Sequence, residues 1–280
     1  MTHTSNYVTI NGMRSHYIEW EGQGDPLLLI HGDMRTSRSF DAVARRLSLT
    51  HRVLALDLYG HGDSDWPEKG YRFSDRAENI NQFIEHLDLR AVTAAAHSTG
   101  AVGLILSATQ KPDRFQKLVL MEPMLVIDEK FQKMVSSRNK RPRTTWSNKK
   151  ELKKLLLEHE VTKEWEKEVV KDVLDYETFT NDYGQIDMKW SSNTLNWSER
   201  ENDYLNIISI LEKSLCETLF ITSSNREKIF QEAKKLSDKL SSLSYCVVRN
   251  TGHNMYMERP DTISELISMF CKEYPVPDEI

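Results

Sequence analysis

Residues 91–110 read AVTAAAHSTGAVGLILSATQ. The first seven are apolar or small without alternation, the pattern of a strand buried on both faces. The run from 101 to 110 has the character of a buried helix. Ser98 therefore falls on a sharp strand-to-helix turn, at the centre of Ala96-His97-Ser98-Thr99-Gly100. Such a turn brings the residues two before and two after the serine together, so both must be small, as Ala96 and Gly100 are. The serine is then held in a strained backbone conformation with its hydroxyl exposed. The plainer reading makes Ser98 an ordinary helix N-cap.

Strands and helices alternate outward from this turn in both directions. YVTI (7–10) and SHYIEW (15–20) flank Asn11-Gly12, a strong hairpin signal. LLLIHG (27–32), RVLALDL (52–58) and KLVLME (117–122) are nearly all apolar, as parallel strands covered on both faces must be. SFDAVARRL (39–47) and DRAENINQFIEHL (75–87) read as helices, with Ala77, Ile80, Ile84 and Leu87 on one face of the second. The alternation breaks after Pro123. Of the 45 residues from 128 to 172, 22 are charged, and two helices are predicted there (ELKKLLLEHE, TKEWEKEVVKDVLD) but no strand. Alternation then resumes with strand ETLFITS (217–223), helix EKIFQEAKKLSDKL (227–240), strand SYCVVRN (244–250) and helix DTISELISMFCKEY (261–274). The last residues, PVPDEI, are expected to fray. The expected class is α/β: a mostly parallel sheet covered by helices on both faces. Its core spans 1–123 and 206–280, split by a helical insertion over 124–205.

Composition narrows the function classes. The 280 residues are 39% hydrophobic, enough for a core, which excludes wholesale disorder. With 37 basic and 42 acidic residues the net charge is −5, so nucleic-acid binding by bulk charge is not expected. No apolar run approaches the ~18–20 residues of a membrane span. The opening MTHTSNYVTI lacks the basic and apolar regions of a secretory signal. Cys216, Cys246 and Cys271 make neither a disulfide framework nor a metal-ligand spacing, which points to a reducing, cytoplasmic setting. The sequon Asn196-Trp197-Ser198 means little without secretion. No P-loop, HExxH, CxxC pair or GxGxxG occurs, so neither a metal nor a nucleotide cofactor is expected. The expected partner is a small-molecule substrate with an apolar or aromatic part, met by a monomer or homodimer.

Thr251-Gly252-His253-Asn254 follows the last strand, at the C-terminal sheet edge where open α/β sheets place ligands. A serine is a poor nucleophile at neutral pH and needs a base within hydrogen-bond reach, and His253 is the candidate. His31-Gly32-Asp33-Met34 follows strand LLLI. There a loop amide, paired with the amide of Thr99, would make an oxyanion hole; otherwise the segment is a simple strand-ending turn. Asp57-Leu58-Tyr59-Gly60-His61-Gly62-Asp63-Ser64 suits a tight loop beside the site, with His61 read as structural.

Together HGDM (31–34), DLYGHGDSD (57–65), AHSTGA (96–101), LVLMEP (118–123) and TGHNMYMERPD (251–261) resemble the α/β-hydrolase superfamily, of the serine-nucleophile type with a helical cap. The resemblance spans about 200 residues of core; the insertion matches only in position and helical character. It implies Ser98 as nucleophile, His253 as base, and the backbone amides of Asp33 and Thr99 as oxyanion donors. It also implies a cofactor-free carboxylesterase-like enzyme.

The triad acid departs from the common pattern. Relatives usually carry an aspartate just after the strand corresponding to LFITS, where this chain reads Ser223-Ser224-Asn225-Arg226-Glu227. The second solution within the superfamily places the acid after the preceding core strand, where Glu122 stands. The acid must be near-buried and must orient the imidazole. Glu122, ending a buried strand, is favoured over Glu227, which also suits the start of a helix. Asp33 puts a carboxylate beside the oxyanion site; this is tolerable because only its backbone N–H need point inward, though a free carboxylate there could depress activity or select cationic substrates. Two rivals share the site: C–C bond hydrolysis or cofactor-independent oxygenation, and a ligand receptor of low turnover.

The insertion carries Trp146, Trp165, Tyr176, Phe179, Tyr183, Trp190, Trp197 and Tyr204, which either line an apolar pocket or pack the cap onto the core. Its basic run Arg138, Lys140, Arg141, Arg143, Lys149, Lys150, Lys153 and Lys154 is read as a solvated face rather than an anion site.

Overall fold

The computed structural model describes residues 2–139, 142–195 and 204–280. Its strands are β1 (His3–Ile10), β2 (Met13–Trp20), β3 (Pro26–Ile30), β4 (Arg52–Leu56), β5 (Val92–His97), β6 (Phe115–Met121), β7 (Val126–Ile127), β8 (Thr178–Thr180), β9 (Ile186–Met188), β10 (Leu205–Asn206), β11 (Glu217–Ser223) and β12 (Leu243–Val248). Its α-helices are α1 (Asp41–Leu47), α2 (Phe73–His86), α3 (Ser98–Gln110), α4 (Glu129–Asn139), α5 (Lys149–Glu158), α6 (Lys167–Tyr176), α7 (Ile207–Leu211), α8 (Gln231–Ser237), α9 (Met255–Glu258) and α10 (Pro260–Cys271).

Eight strands form one sheet in the order β1-β2-β4-β3-β5-β6-β11-β12. The β1–β2 hairpin and its join to β4 are antiparallel, and all pairings from β4 to β12 are parallel. The hairpin turns on Asn11 and Gly12 at φ 51° and 81°, the left-handed values that a two-residue turn between right-twisted strands requires. The unbroken apolar strands are explained by two separate cores. Leu28, Ile30, Leu54, Ala94 and Leu118 face one core, with residues of α2 and α3. Leu27, Leu29, Val53, Ala95 and Val119 face the other, with residues of α1 and α10. Successive side chains point to opposite faces, so a strand with no wet face has no polar alternation.

The insertion carries α4, α5 and α6, and it departs from the sequence expectation in holding strands. β7 pairs with β10, and β8 with β9, in two antiparallel ladders of two and three residue pairs. Elements this short leave no periodicity to read. The helix predicted over 162–175 begins only at Lys167, because the Glu166 amide donates to the Met257 carbonyl of the core at 3.0 Å. The stretch predicted as one helix over 227–240 is a 3₁₀ segment, Ser224–Phe230, followed by α8.

The insertion is fastened to the core at several points. Arg45 of α1 meets Glu168 and Asp172 at 2.9 and 2.7 Å, and Arg46 meets Glu168 at 2.8 Å. The Gly62 amide donates to Lys189 O and the Ser191 amide to Gly60 O, both at 2.7 Å. Among its aromatics, Trp165 is buried in the core of the α1 face, with Trp146 and Trp190 packed against that core. Arg38 lies 3.7 Å over the Tyr176 ring, and Phe179 meets Trp66 edge-on. Tyr183 and Tyr204 are exposed. Packing onto the core thus accounts for the three described tryptophans. Lys149, Lys150, Lys153 and Lys154 are exposed, whereas Arg143 turns inward to Asp187 at 2.7 Å and stacks on Trp190. The Arg138 side chain, Lys140, Arg141 and the sequon with Trp197 lie outside the described residues. No described helix is long and apolar enough to cross a membrane.

The C-terminal tail is not frayed. Val247 N donates to Asp278 O at 2.9 Å, Arg249 N to Ile280 O at 2.8 Å, and Ile280 N to Val247 O at 3.0 Å. The tail therefore covers the edge of β12, whose free amides would otherwise face solvent. Deleting residues 278–280 is expected to speed hydrogen exchange at the Val247 and Arg249 amides at least tenfold. It should cost about 1–3 kcal/mol in a denaturant melt. Unchanged protection at both amides would contradict this account.

Candidate active site

Parallel strands deliver their C-terminal ends to one edge of a sheet. Here that edge gathers the loop after β3, Ser98 after β5, Glu122 after β6, Ser223 ending β11 and His253 after β12. Ser98 has φ 54°, a left-handed value that strains a residue with a side chain. A Cβ on Gly100 would overlap the His31 carbonyl oxygen, and one on Gly32 would lie 3.0 Å from Ser98 Cβ. The two loops meet this closely because β3 and β5 are hydrogen-bonded neighbours. Ser98 is the first residue of α3 rather than its cap, which is His97. The Ser98 hydroxyl is left to face His253 Nε2 at 3.2 Å, with Met124 Sδ at 3.9 Å.

His253 Nδ1 lies 2.6 Å from Glu122 Oε2. That contact assigns Nδ1–H as the donor to the carboxylate and leaves Nε2 to accept from Ser98. The imidazole is part-exposed, while Glu122 is buried. Glu122 Oε1 accepts from Ser223 N at 2.9 Å, Ser223 Oγ at 2.6 Å and Thr222 Oγ1 at 3.1 Å. Burial pushes this carboxyl up, but the bond to His253, its charge and the two Ser223 donors outweigh burial. They hold Glu122 below the usual glutamate range. Glu227 is exposed on the 3₁₀ segment, so the carboxylate that meets His253 is Glu122.

Asp33 donates its amide to Thr99 Oγ1 at 2.8 Å, so the two residues expected to form the oxyanion site touch each other. The Asp33 side chain overturns an expectation. Its Oδ1 lies 2.5 Å from Nη2 of the buried Arg76, which neutralises the charge that was expected to bias the pocket toward cations. His61 is fully buried beside the His31 ring, as a structural residue would be.

Three supporting residues escape sequence reading. His97 donates from Nε2 to the His253 carbonyl at 2.8 Å, pinning the loop that carries His253. Burial, with His253 beside it, drives the His97 imidazole well below its ordinary range, so it serves as a neutral clamp. Thr222 and Ser223, ordinary strand residues by pattern, supply three of the Glu122 donors. Asp57 binds three segments at once. Its carboxylate accepts from Ser37 N at 2.6 Å and Asp63 N at 3.0 Å, and meets His16 Nδ1 at 2.6 Å. His16, Asp57 and Asp63 bring ligand-type atoms within 4.8 Å of one another. Lys189 Nζ, 2.7 Å from Asp63, already places a cation there, so the cluster is poorly suited to a metal ion.

A family model for the alpha/beta hydrolase fold matches residues 25–260, and the chain belongs to that family. It is 32% identical over 114 residues to a haloalkane dehalogenase of Agrobacterium fabrum, covering 41% of this chain and 37% of that enzyme. It is 25% identical over 255 residues to a putative esterase/lipase of Haemophilus influenzae, covering 88% of this chain and 83% of that one. The aligned stretch thus spans little more than a third of the first of these relatives. Among solved structures, E-2-(acetamidomethylene)succinate hydrolase superposes with a TM-score of 0.83 at 21% identity, covering 97% of this chain and 100% of that one. That likeness is one of fold.

Burial would raise the Asp57 carboxyl, but the His16 hydrogen bond and charge, His31 and the Ser37 amide bring it down to about 2. Its folded value lies below its unfolded one. The stabilisation is therefore complete above about pH 4 and is lost as pH falls through 2, roughly 2 kcal/mol in all. Asp57→Asn is expected to destabilise by about 3 kcal/mol at pH 7. In denaturant melts the gap between wild type and variant should narrow below pH 4, and a gap independent of pH would refute the assignment.

Proposed function

We propose that this protein is a serine hydrolase that cleaves a carboxylic ester or a related acyl bond through an acyl-enzyme, without a cofactor. One observation carries the reading: the unbroken chain from Ser98 Oγ through the His253 ring to the Glu122 carboxylate, at 3.2 and 2.6 Å. Ser98 attacks the carbonyl carbon while His253 Nε2 takes its proton. Glu122 stabilises the imidazolium that results. The tetrahedral oxyanion forms beside α3, where the amides of Asp33 and Thr99 serve as donors. The Asp33 amide exchanges its bond to Thr99 Oγ1 for one to the oxyanion. His253 then protonates the leaving group, and water, activated by the same base, releases the acyl group from Ser98.

The segment 124–205 acts as the cap over this site, and substrates are small molecules with an apolar or aromatic part, for which Met124 beside Ser98 offers a contact. Cys216, Cys246 and Cys271 are unpaired thiols, in keeping with a reducing cytoplasm.

A panel of p-nitrophenyl esters of graded acyl length tests the reading. Wild type is expected to turn over at least one with an acyl burst. Ser98→Ala should lose about 10⁴-fold or more in kcat, and Glu122→Gln about 10²–10⁴-fold. Glu227→Gln should stay within about twofold of wild type. Activity that survives in Ser98→Ala would exclude the mechanism, and full activity in Glu122→Gln would exclude the acid.

A further inference from the structure

The Glu122 carboxylate has a cationic neighbour besides the His253 ring. Arg226, on the 3₁₀ segment after β11, places Nε 2.7 Å from Oε2, the same oxygen that meets His253 Nδ1. Glu122 is fully buried, whereas the Arg226 side chain is 37% exposed, so the guanidinium reaches in from the surface. We propose that Arg226 is a positioning residue that balances the Glu122 charge and so lowers the proton affinity of His253, keeping the base neutral and competent at more acidic pH. The proposal rests on the triad reading above.

The reasoning is one of local charge. A carboxylate alone beside an imidazole would form a neutral pair on protonation of the ring. With Arg226 in contact, the carboxylate is already balanced, and protonating His253 leaves an excess positive charge. The other groups around the imidazole do not supply this effect. His97, whose ring centre lies 4.4 Å from that of His253, is kept neutral by burial. Tyr256, 4.9 Å beyond His97, is pushed above its ordinary range by burial and is also neutral. Glu258 takes the Gly252 amide at 2.7 Å, and burial raises its carboxyl. Arg35, from the loop after β3, is engaged with Glu177 at 3.4 Å. Tyr245 of β12 lies near both Glu122 and Glu227, and burial pushes its phenol above the ordinary range, so it is neutral. Among these groups, Arg226 is the cation that touches the acid.

The test compares wild type, Arg226→Gln and Arg226→Lys by two readouts. One is the NMR titration of the His253 imidazole, assigned against His253→Gln. The other is the pH dependence of Ser98 labelling by a fluorophosphonate probe. In Arg226→Gln both midpoints are expected to rise by about 0.5–1 pH unit, as a single charge at this distance and partial exposure would produce. Arg226→Lys should stay close to wild type. High salt should raise the wild-type midpoint and leave Arg226→Gln unmoved, because a part-exposed charge is screened. A midpoint in Arg226→Gln equal to wild type overturns the proposal. Should that variant not fold, a wild-type midpoint independent of salt overturns it equally. The two readings fail separately: an unlabelled Ser98 with a shifted His253 sinks the hydrolase mechanism and leaves the Arg226 role intact. A labelled Ser98 with an unshifted His253 does the reverse.

Discussion

A buried negative charge at the end of β6 organises the C-terminal edge of this sheet. A carboxylate taken out of water costs several kcal/mol unless donors surround it. Glu122 satisfies that demand with β11, whose last residues give it three hydrogen bonds, and with His253, which gives a fourth. The same demand fixes the backbone. Glu122 sits at φ 46° with its amide bonded to Ile221 O at 3.1 Å, so the strand end is bent until the side chain turns back toward the His253 loop. Two left-handed residues, Ser98 and Glu122, therefore face one another across β5 and β6, at an expected cost of about 1–3 kcal/mol each. That strain persists because both strands are locked on each side by parallel neighbours.

Much of this was legible in the sequence, and the reasons differ from element to element. Strands such as LLLI and AVTAAAH declared themselves because burial on two faces leaves no polar residue at all. Ser98 was legible because the turn that carries it tolerates only small residues at 96 and 100. Glu122 was harder: its position was readable as the end of an apolar strand, but only the donors on Thr222 and Ser223 distinguish it from an exposed strand-end charge. Those donors come from a strand 100 residues away, and no local pattern encodes such a contact. The Asp33 misreading has the same origin. A carboxylate beside an oxyanion site looks disruptive until Arg76 is found beside it, and Arg76 lies on an amphipathic helix where an arginine carries no signal. The C-terminal tail fooled composition in the opposite sense, since Pro-rich polar residues can still complete a sheet edge.

The insertion illustrates where local reading gives out. Its basic run was read as a solvated face, and the charges of the insertion divide by element. The lysines of α5 face water, while Glu168 and Asp172 of α6 pair with arginines of α1. An arginine suits that role because its planar fork binds a carboxylate through more than one nitrogen. Part of the insertion's charge is thus what fastens it to the core.

That fastening bears on chemistry through Asp57. Its carboxylate joins Ser37, in the turn following the Asp33 loop, to Asp63, whose side chain bonds Lys189 of the insertion. The neighbouring Gly62 amide donates to the same lysine's carbonyl. One buried carboxylate thus ties the insertion, by way of Lys189 and Asp63, to the turn at Ser37 that follows the Asp33 loop. Side chains packed this tightly do not deform continuously; they move together or hold.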